Sequence, residues 1–463
     1  MSDDALLVAR ILFWVASAGV AFLPIRWAVF CLIFASHLDI TSLTFTSASS
    51  VGFENTFRIV ALPLFLLART SSLSFVNFKW LLPHKLWIAL TIYAAIAGFW
   101  GGFPLSAVKL IAYLCAYLVL YFVFTRAWEA GWLDITLLRL ASWSVIALAI
   151  LQTFALGNGW GGAEMRFTSF STPQYFAAFL VAMLAILVFS GERGWWHYTT
   201  CGAIVVSIVL NGSRYVFIST ILLLIVASFR VHGSSDSFRL SLSKKRVLVT
   251  LVLAIAVGAA LISYAPENRL DQLLTTASDQ DAKLEEVGTF SWRLGIYQEI
   301  FDRLDKRTFT QLFFGSGTGS GAELMIDYEP KLNDKQSIDA NRALHSEYLR
   351  ALYEWGILGL LVLLAFLTSM ILGFARKIAA EGGGVGLAFL GVLPSILLGL
   401  AIENILAGAA SAAGVGILLA MSFAYQTDPA YFADPYAEKE FSQANVEAVE
   451  YGGHNPDDHL LSI

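Results

Sequence analysis

Apolar runs of about 20 residues, each separated from the next by a short polar turn, make up most of this chain. A run of that length is what an α-helix needs to cross the hydrocarbon core of a bilayer. One polar segment of 80 residues, Ala265–Leu344, interrupts the series. The pattern predicts membrane-spanning helices near 5–23, 27–46, 56–69, 86–103, 105–125, 133–156, 173–190, 197–212, 214–230, 246–264, 345–374, 384–402 and 405–424.

The composition agrees with this pattern. Apolar residues make up 57% of the chain, charged residues 14%, and the mean hydropathy is +0.67, values that exclude an ordinary soluble domain. We therefore predict an all-α fold: a polytopic transmembrane helix bundle of 12 or 13 spans with one large, partly helical periplasmic or extracellular loop. The 56–69 run is short and Asp39 lies within 27–46, so one of these segments is a candidate re-entrant or interfacial helix.

Basic residues in the short loops orient the helices, because cytoplasmic loops are enriched in lysine and arginine. Loops near Lys79, Lys244 and Arg376 are therefore placed in the cytoplasm, together with the acidic tail after Gln426. Alternation then places the polar segment outside. The predicted division is 1–156, N-terminal transmembrane helices; 157–264, central helices with outer-face arginines; 265–344, large outer loop; 345–426, C-terminal transmembrane helices; and 427–463, an acidic cytoplasmic tail expected to be disordered.

Two arginines lie where this topology makes basic residues scarce. Arg214 follows the tight turn Asn211–Ser213, and Arg166 lies in the loop before the span that begins near Pro173. One interpretation is that these side chains extend to lipid headgroups. The other is that planar, permanently charged guanidinium groups bind a phosphate or diphosphate at the outer membrane boundary.

The polar segment itself contains a predicted helix and a glycine-rich turn. Trp292, Ile296, Ile300 and Leu304 recur every four residues and form one apolar stripe, with Arg293 at the start of the helix. Alternating glycines follow over 315–321. No βαβ context surrounds them, so a dinucleotide site is not predicted. The glycines instead indicate a backbone that passes close to a ligand or to the membrane helices.

His345 begins the next predicted span and lies on one helix face with Leu349, Leu352, Gly356 and Gly359. The two glycines are expected to permit close helix packing that fixes the histidine in place. A lone interfacial histidine is often only structural. Here, however, the topology places it at the same outer boundary as the three arginines.

These segments, in this order, resemble the family of O-antigen ligases and Wzy-type O-antigen polymerases over roughly 160–375. The resemblance rests on the Arg166–Pro173 segment, Ser213-Arg214, Ser291–Tyr297, Phe314–Gly319 and His345–Leu360. The family often has His-Asn where this chain has His345-Ser346, which puts an amide contact at that position in question.

The resemblance implies a metal-independent membrane glycosyltransferase without a cofactor. It would act at the outer face of the bacterial inner membrane, among membrane lipids and not on nucleic acid. The donor would be an undecaprenyl-diphosphate-linked glycan, and the acceptor lipid A–core or a second lipid-linked saccharide. Arg214 and Arg293, with Arg166 as a substrate-binding residue, would hold the diphosphate leaving group. His345 would accept the proton of the attacking hydroxyl.

Alternative functions stay open at this point. A capsule or exopolysaccharide polymerase would carry the same residues, and the sequence does not separate ligase from polymerase. A secondary transporter explains the spans equally well, although no internal repeat is evident. A scaffold protein would tolerate neutral residues in place of the four predicted site residues, Arg166, Arg214, Arg293 and His345. Carboxylate catalysis would use acidic residues of the polar segment, which contains no paired Asp-x-Asp.

Overall fold

The computed structural model of this chain describes residues 3–38, 57–70, 82–102, 104–155, 167–170, 173–190, 192, 194–234, 237–242, 289–322, 324, 344, 346–381, 385–402 and 409–424. The predicted span at 246–264 and the tail at 427–463 lie outside these residues.

Helices form almost all of the described structure. They are α1 Asp3–Phe22, α2 Ile25–Ser36, α3 Leu62–Thr70, α4 Leu82–Ala97, α5 Pro104–Glu129, α6 Ile135–Ile150, α7 Pro173–Phe189, α8 Trp195–Asn211, α9 Arg214–Ser228, α10 Thr289–Asp305, α11 Phe309–Phe314, α12 Glu347–Glu381, α13 Val385–Ile402 and α14 Ala409–Ala424. Two π-helical turns adjoin them: Phe57–Ala61 precedes α3, and Leu151–Ala155 extends α6.

The helices identify a multi-pass membrane protein and confirm the predicted all-α class. Three described helical segments are long and apolar enough to cross a bilayer by length and composition: Ser106–Glu129, Ile135–Phe154 and Glu347–Arg376. Shorter apolar helices accompany them, and most of their bounds lie near the predicted runs. The predicted run 173–190, for example, is α7, Pro173–Phe189. Helix α2, however, ends at Ser36, ten residues before the predicted end at 46. The total of 12 or 13 spans stays a prediction.

Two further details differ from the sequence prediction. The basic connection after α9 contains a short antiparallel hairpin, in which β1 (Phe229–Ser234) pairs with β2 (Ser237–Leu242) so that Phe229 faces Leu242. In addition, the predicted continuous helix from 345 to 374 is wrong at Gly356. Its backbone there has φ 65° and ψ −167°, so α12 is two helical segments joined at a break.

One set of helices packs side by side around α4. Trp87 of α4 contacts Phe366 of α12 with ring centroids 4.8 Å apart, while Tyr93 lies beside Trp355. As the residue numbers of α4 rise, those of its neighbour fall, so α4 and α12 are antiparallel. The end of α4 and the beginning of α12 therefore lie at the same end of the bundle.

Helix α7 is deeply buried. Twelve of its 17 residues are buried, from Pro173 to Leu187, and it packs against α6, α8, α9 and α13. The aliphatic and aromatic side chains of such an all-round apolar helix need other helices on every side. Its N-terminal end lies beside the end of α8, as described below.

Candidate functional site

The predicted stripe on α10 is confirmed as a packing face. Ile296 and Ile300 are fully buried and Leu304 nearly so, in one cluster with Leu344 and Tyr353. Trp292, the remaining stripe position, has a side chain outside the description. Because Leu344 precedes α12 and Tyr353 lies on it, this cluster joins α10 to the first turns of α12. Burial of each large aliphatic side chain contributes about 1.5–3 kcal/mol.

The break in α12 leaves carbonyl groups without their usual partners inside the helix. Ordinarily the carbonyls of residues 353–355 would accept from N–H groups four residues later. Here Ser316 N donates to Tyr353 O at 3.1 Å, and Gly317 N donates to Glu354 O at 2.8 Å. The hydroxyl of Tyr93 reaches Trp355 O at 3.2 Å. The glycine-rich turn, Gly315–Gly321, thus caps the first segment of α12.

Arg307, just before α11, adds a second contact to the same carbonyl. Its Nη1 donates to Tyr353 O at 2.9 Å, and its guanidinium lies 3.8 Å from the centroid of the Tyr353 ring. Burial lowers the pKa of Arg307 from its ordinary value, and the neighbouring Tyr353 opposes that shift. An arginine remains charged despite such a shift, so the contact is a cation–π interaction.

Glycine is required where the turn meets the membrane helices. A Cβ on Gly356 would lie 2.6 Å from the carbonyl carbon of Phe313, and its positive φ would strain any other residue. A Cβ on Gly317 would lie 2.8 Å from Ala97 O at the end of α4, and would also meet Gly101. For the glycines of 315–321, the sequence left two reasons open, approach to a ligand or approach to the membrane helices. The described contacts are with the helices.

Thr318 fixes the centre of the turn. Its Oγ1 donates to Ala94 O at 2.5 Å and accepts from Trp355 Nε1 at 3.0 Å, and its N–H donates to Ala97 O at 3.2 Å. The residue is fully buried. One threonine therefore joins the end of α4, the glycine-rich turn and α12.

Three buried charged residues share one face at the start of α12. They are Glu347, Arg350 and Glu354, which are spaced three and four residues apart, and each side chain is less than 5% exposed. Arg350 and Glu347 form an ion pair, and Gly321 N donates to Glu354 Oε1 at 3.1 Å. Sequence reasoning missed these residues. Their spacing could have identified them. Three charges at helical spacing on the first turns of an apolar span are costly unless they are paired, so such charges indicate an ion pair.

Ser346 provides the N-cap of α12. Its Oγ accepts from Leu349 N at 3.3 Å, and its carbonyl accepts from Arg350 N at 2.8 Å. Asparagine is an equally good N-cap. The departure from the family's His-Asn is therefore compatible with the same helix start. His345 itself lies outside the described residues, but both of its neighbours, Leu344 and Ser346, are buried.

The predicted tight turn between α8 and α9 is confirmed, with Gly212 and Ser213 between the two helices. The fully buried Asn211 ends α8, and its Nδ2 donates to Phe167 O at 2.9 Å and to Pro173 O at 3.1 Å. Arg214 is the first residue of α9, and its side chain lies outside the description. Arg166 lies just before the described segment 167–170.

A buried histidine contacts the same segment. His37, which follows α2, is fully buried, and its Nδ1 lies 3.2 Å from Ser169 Oγ. The ring also meets Phe179 of α7 edge-on, with centroids 4.4 Å apart. His37 lies in the predicted span 27–46 and is not among the predicted site residues. Its contact with a loop 132 residues away is non-local and leaves no local pattern.

Of the four predicted site residues, only Arg293 has a described side chain. It is partly exposed on α10, one turn before Tyr297, whose hydroxyl donates to Ala401 O near the end of α13 at 3.3 Å. No direct contact among Arg166, Arg214, Arg293 and His345 is described. Their joint role as one site therefore stays a prediction.

Residues 177–364 match the family model Wzy_C, described as O-Antigen ligase. This stretch runs from α7 into α12 and contains the α8–α9 turn, the glycine-rich turn and the three buried charges. It confirms the resemblance to the O-antigen ligase and Wzy-type family that the motifs predicted. The family implies a membrane enzyme of glycosyltransferase type that acts on lipid-linked saccharides. No curated protein matches the chain.

Proposed function

We propose that this protein transfers a glycan from an undecaprenyl-diphosphate carrier to lipid A–core, or to a second lipid-linked saccharide. The observation that carries the proposal is the family match over 177–364, which includes three of the four predicted site residues: Arg214, Arg293 and His345. Arg166 precedes the matched stretch. The described packing supports the proposal, because α10 with Arg293 shares a hydrophobic cluster with the start of α12, which follows His345 directly.

The chemistry assigns one role to each residue type. The acceptor hydroxyl oxygen attacks the anomeric carbon, and the bond from that carbon to the diphosphate oxygen breaks. The hydroxyl proton passes to His345, whose class of side chain titrates near neutral pH. The bonding electron pair leaves with the diphosphate, whose growing negative charge Arg214 and Arg293 neutralise with help from Arg166. Arginine charges thus do what a divalent cation does in other transferases, and we propose a metal-independent reaction.

We place the reaction at the outer face of the bacterial inner membrane. The predicted topology supports this side, because the loops with the most lysines and arginines then face the cytoplasm. The N-cap Ser346 and the buried ion pair of Glu347 with Arg350 follow His345 in the chain, and this fixed helix start supports a role for the histidine. Arg214 and His345 are more than 130 residues apart in the chain. Arg214 is the first residue of α9, and His345 lies two residues before the start of α12.

Complementation of a deletion strain tests this function. The strain is transformed with the wild-type gene or with His345→Ala, Arg214→Ala or Arg293→Ala, and lipopolysaccharide is separated on a gel. We expect each variant to reduce long-chain transfer at least about 100-fold, the usual scale for a lost general base or charge-stabilising group. Arg303→Ala, on the same helix as Arg293, is the matched control and should complement fully.

The lipopolysaccharide bands of the deletion strain also distinguish a ligase from a polymerase. Loss of all long-chain bands with accumulation of lipid-linked polymer indicates a ligase, and bands with a single repeat unit indicate a polymerase. Full complementation by inserted His345→Ala and Arg214→Ala protein would contradict the proposed site. Unchanged lipopolysaccharide in the deletion strain would contradict the proposed acceptors.

A further inference from the structure

Asn211 makes a pair of contacts that no predicted role explains. Its side-chain amide nitrogen donates one hydrogen to Phe167 O at 2.9 Å and the other to Pro173 O at 3.1 Å. The residue is fully buried. The two carbonyls belong to the loop before α7 and to the first residue of α7, 44 and 38 positions away. A carboxamide with two N–H groups can serve both carbonyls at once.

The location of this amide is informative because of the residues beside it. Phe167 directly follows Arg166, and Asn211 precedes Arg214 by three positions. Covalent geometry keeps Arg166 within about 4 Å of Phe167, measured between Cα atoms, and Arg214 within about 11 Å of Asn211. The amide therefore connects the backbone that carries one arginine to the backbone that carries the other.

A second contact, from another part of the chain, holds the same loop. Ser169 Oγ lies 3.2 Å from Nδ1 of the fully buried His37. Hydrogen bonds therefore hold the loop at Phe167, at Ser169 and at Pro173, where α7 begins. Contacts from two other parts of the chain therefore hold the described residues that follow Arg166.

We infer that Asn211 is a positioning residue that sets the spacing between Arg166 and Arg214, so that both guanidinium groups reach one diphosphate. The inference rests on the proposed function, since it assumes a diphosphate ligand. Asn211 does not touch the ligand in this account. It acts through the carbonyls of Phe167 and Pro173, with Ser169 and His37 as a supporting contact.

Binding of undecaprenyl diphosphate to the purified full-length protein in detergent tests this inference, with undecaprenyl monophosphate as the reference ligand. We expect Asn211→Ala to weaken diphosphate binding about tenfold, because two buried hydrogen bonds are lost. Monophosphate binding, which needs only one arginine, should change about twofold at most. Ser207→Ala is the matched control. Ser207 is also buried on α8, but its hydroxyl bonds only to Ala203 O of its own helix, at 2.8 Å.

A double-mutant cycle separates positioning from a general loss of structure. In an Arg166→Ala background, Asn211→Ala should weaken diphosphate binding by less than about twofold, because the arginine it positions is already absent. In an Arg293→Ala background, Asn211→Ala should weaken diphosphate binding by the full amount, about tenfold. If Asn211→Ala protein does not fold, Ser169→Ala replaces it and should weaken diphosphate binding about threefold.

The outcomes distinguish this inference from the proposed function. Wild-type protein that does not prefer the diphosphate over the monophosphate would contradict the proposed function and the inference together. Wild-type preference that Asn211→Ala leaves intact, or equal effects of that variant in both arginine backgrounds, would overturn the inference alone.

Discussion

The break in α12 and the α8–α9 turn are held by different kinds of hydrogen-bond donor. In both, a connecting segment lies against a helix end, and hydrogen bonds to backbone carbonyls hold it there. At the break, the donors are mainly backbone N–H groups of the glycine-rich turn, which approach closely because glycine has no Cβ. At the α8–α9 turn, the donor is one side-chain amide. The first region should therefore tolerate almost no substitution, and the second should tolerate substitution with a graded loss.

Gly356→Ala should have the largest effect, because a Cβ would meet the backbone of Phe313 and Gly315 at a positive φ. We expect a loss of about 5 kcal/mol or more in the free energy of unfolding, from backbone strain and overpacking together. Unfolding of the purified protein in a denaturing-detergent titration measures it. Gly373→Ala, also on α12, meets no atom within 4 Å and should be neutral or slightly stabilising. Equal effects of the two variants would show that the break does not depend on glycine.

Arg350→Leu should come next, because it leaves the buried carboxylate of Glu347 without its ion-pair partner. The expected loss is about 3–5 kcal/mol in the same titration. The comparison is Arg303→Leu, which removes a partly exposed pair with Glu299 at 2.7 Å and should cost at most about 1 kcal/mol. A small effect of Arg350→Leu would mean that the buried charges are solvated or neutral, and would weaken the comparison between the two regions.

Thr318→Val should have the smallest effect of the three. The substitution keeps the shape but removes the hydroxyl that joins Ala94 O to Trp355 Nε1. A loss of about 1–3 kcal/mol is expected, since both partners stay buried. Thr199→Val on α8 removes a hydroxyl that bonds only within its own helix and should change stability by less than about 0.5 kcal/mol. If both variants behave alike, Thr318 does not hold the turn.

Local patterns in the sequence predicted local structure well. The four-residue stripe predicted α10 because one helix face packs on one cluster. The tight turn before Arg214 followed from Asn211-Gly212-Ser213, residues typical of turns. The capping box at the start of α11, between Thr308 and Gln311, was not predicted, although the spacing of those two residues is local.

The remaining features depend on contacts between distant parts of the chain. Gly356 lies within a segment that was predicted as one continuous span, and nothing local distinguishes a break there from a glycine inside a helix. Its need for glycine comes from Phe313 and Gly315, some 40 residues earlier. The partners of Asn211 and His37 are likewise distant. Sequence reasoning therefore identified candidate residues for chemistry but missed the buried residues that hold their segments in place.

Transfer by the purified protein tests the central claim most directly. The full-length chain is reconstituted in vesicles with a labelled undecaprenyl-diphosphate-linked glycan and lipid A–core, and label in the acceptor fraction is measured over time. We predict transfer by the wild-type protein and by His454→Ala, a histidine change in the acidic tail, and at least about 100-fold slower transfer by His345→Ala. Equal rates for His345→Ala and His454→Ala, or label that remains on the carrier with wild-type protein, would contradict the account.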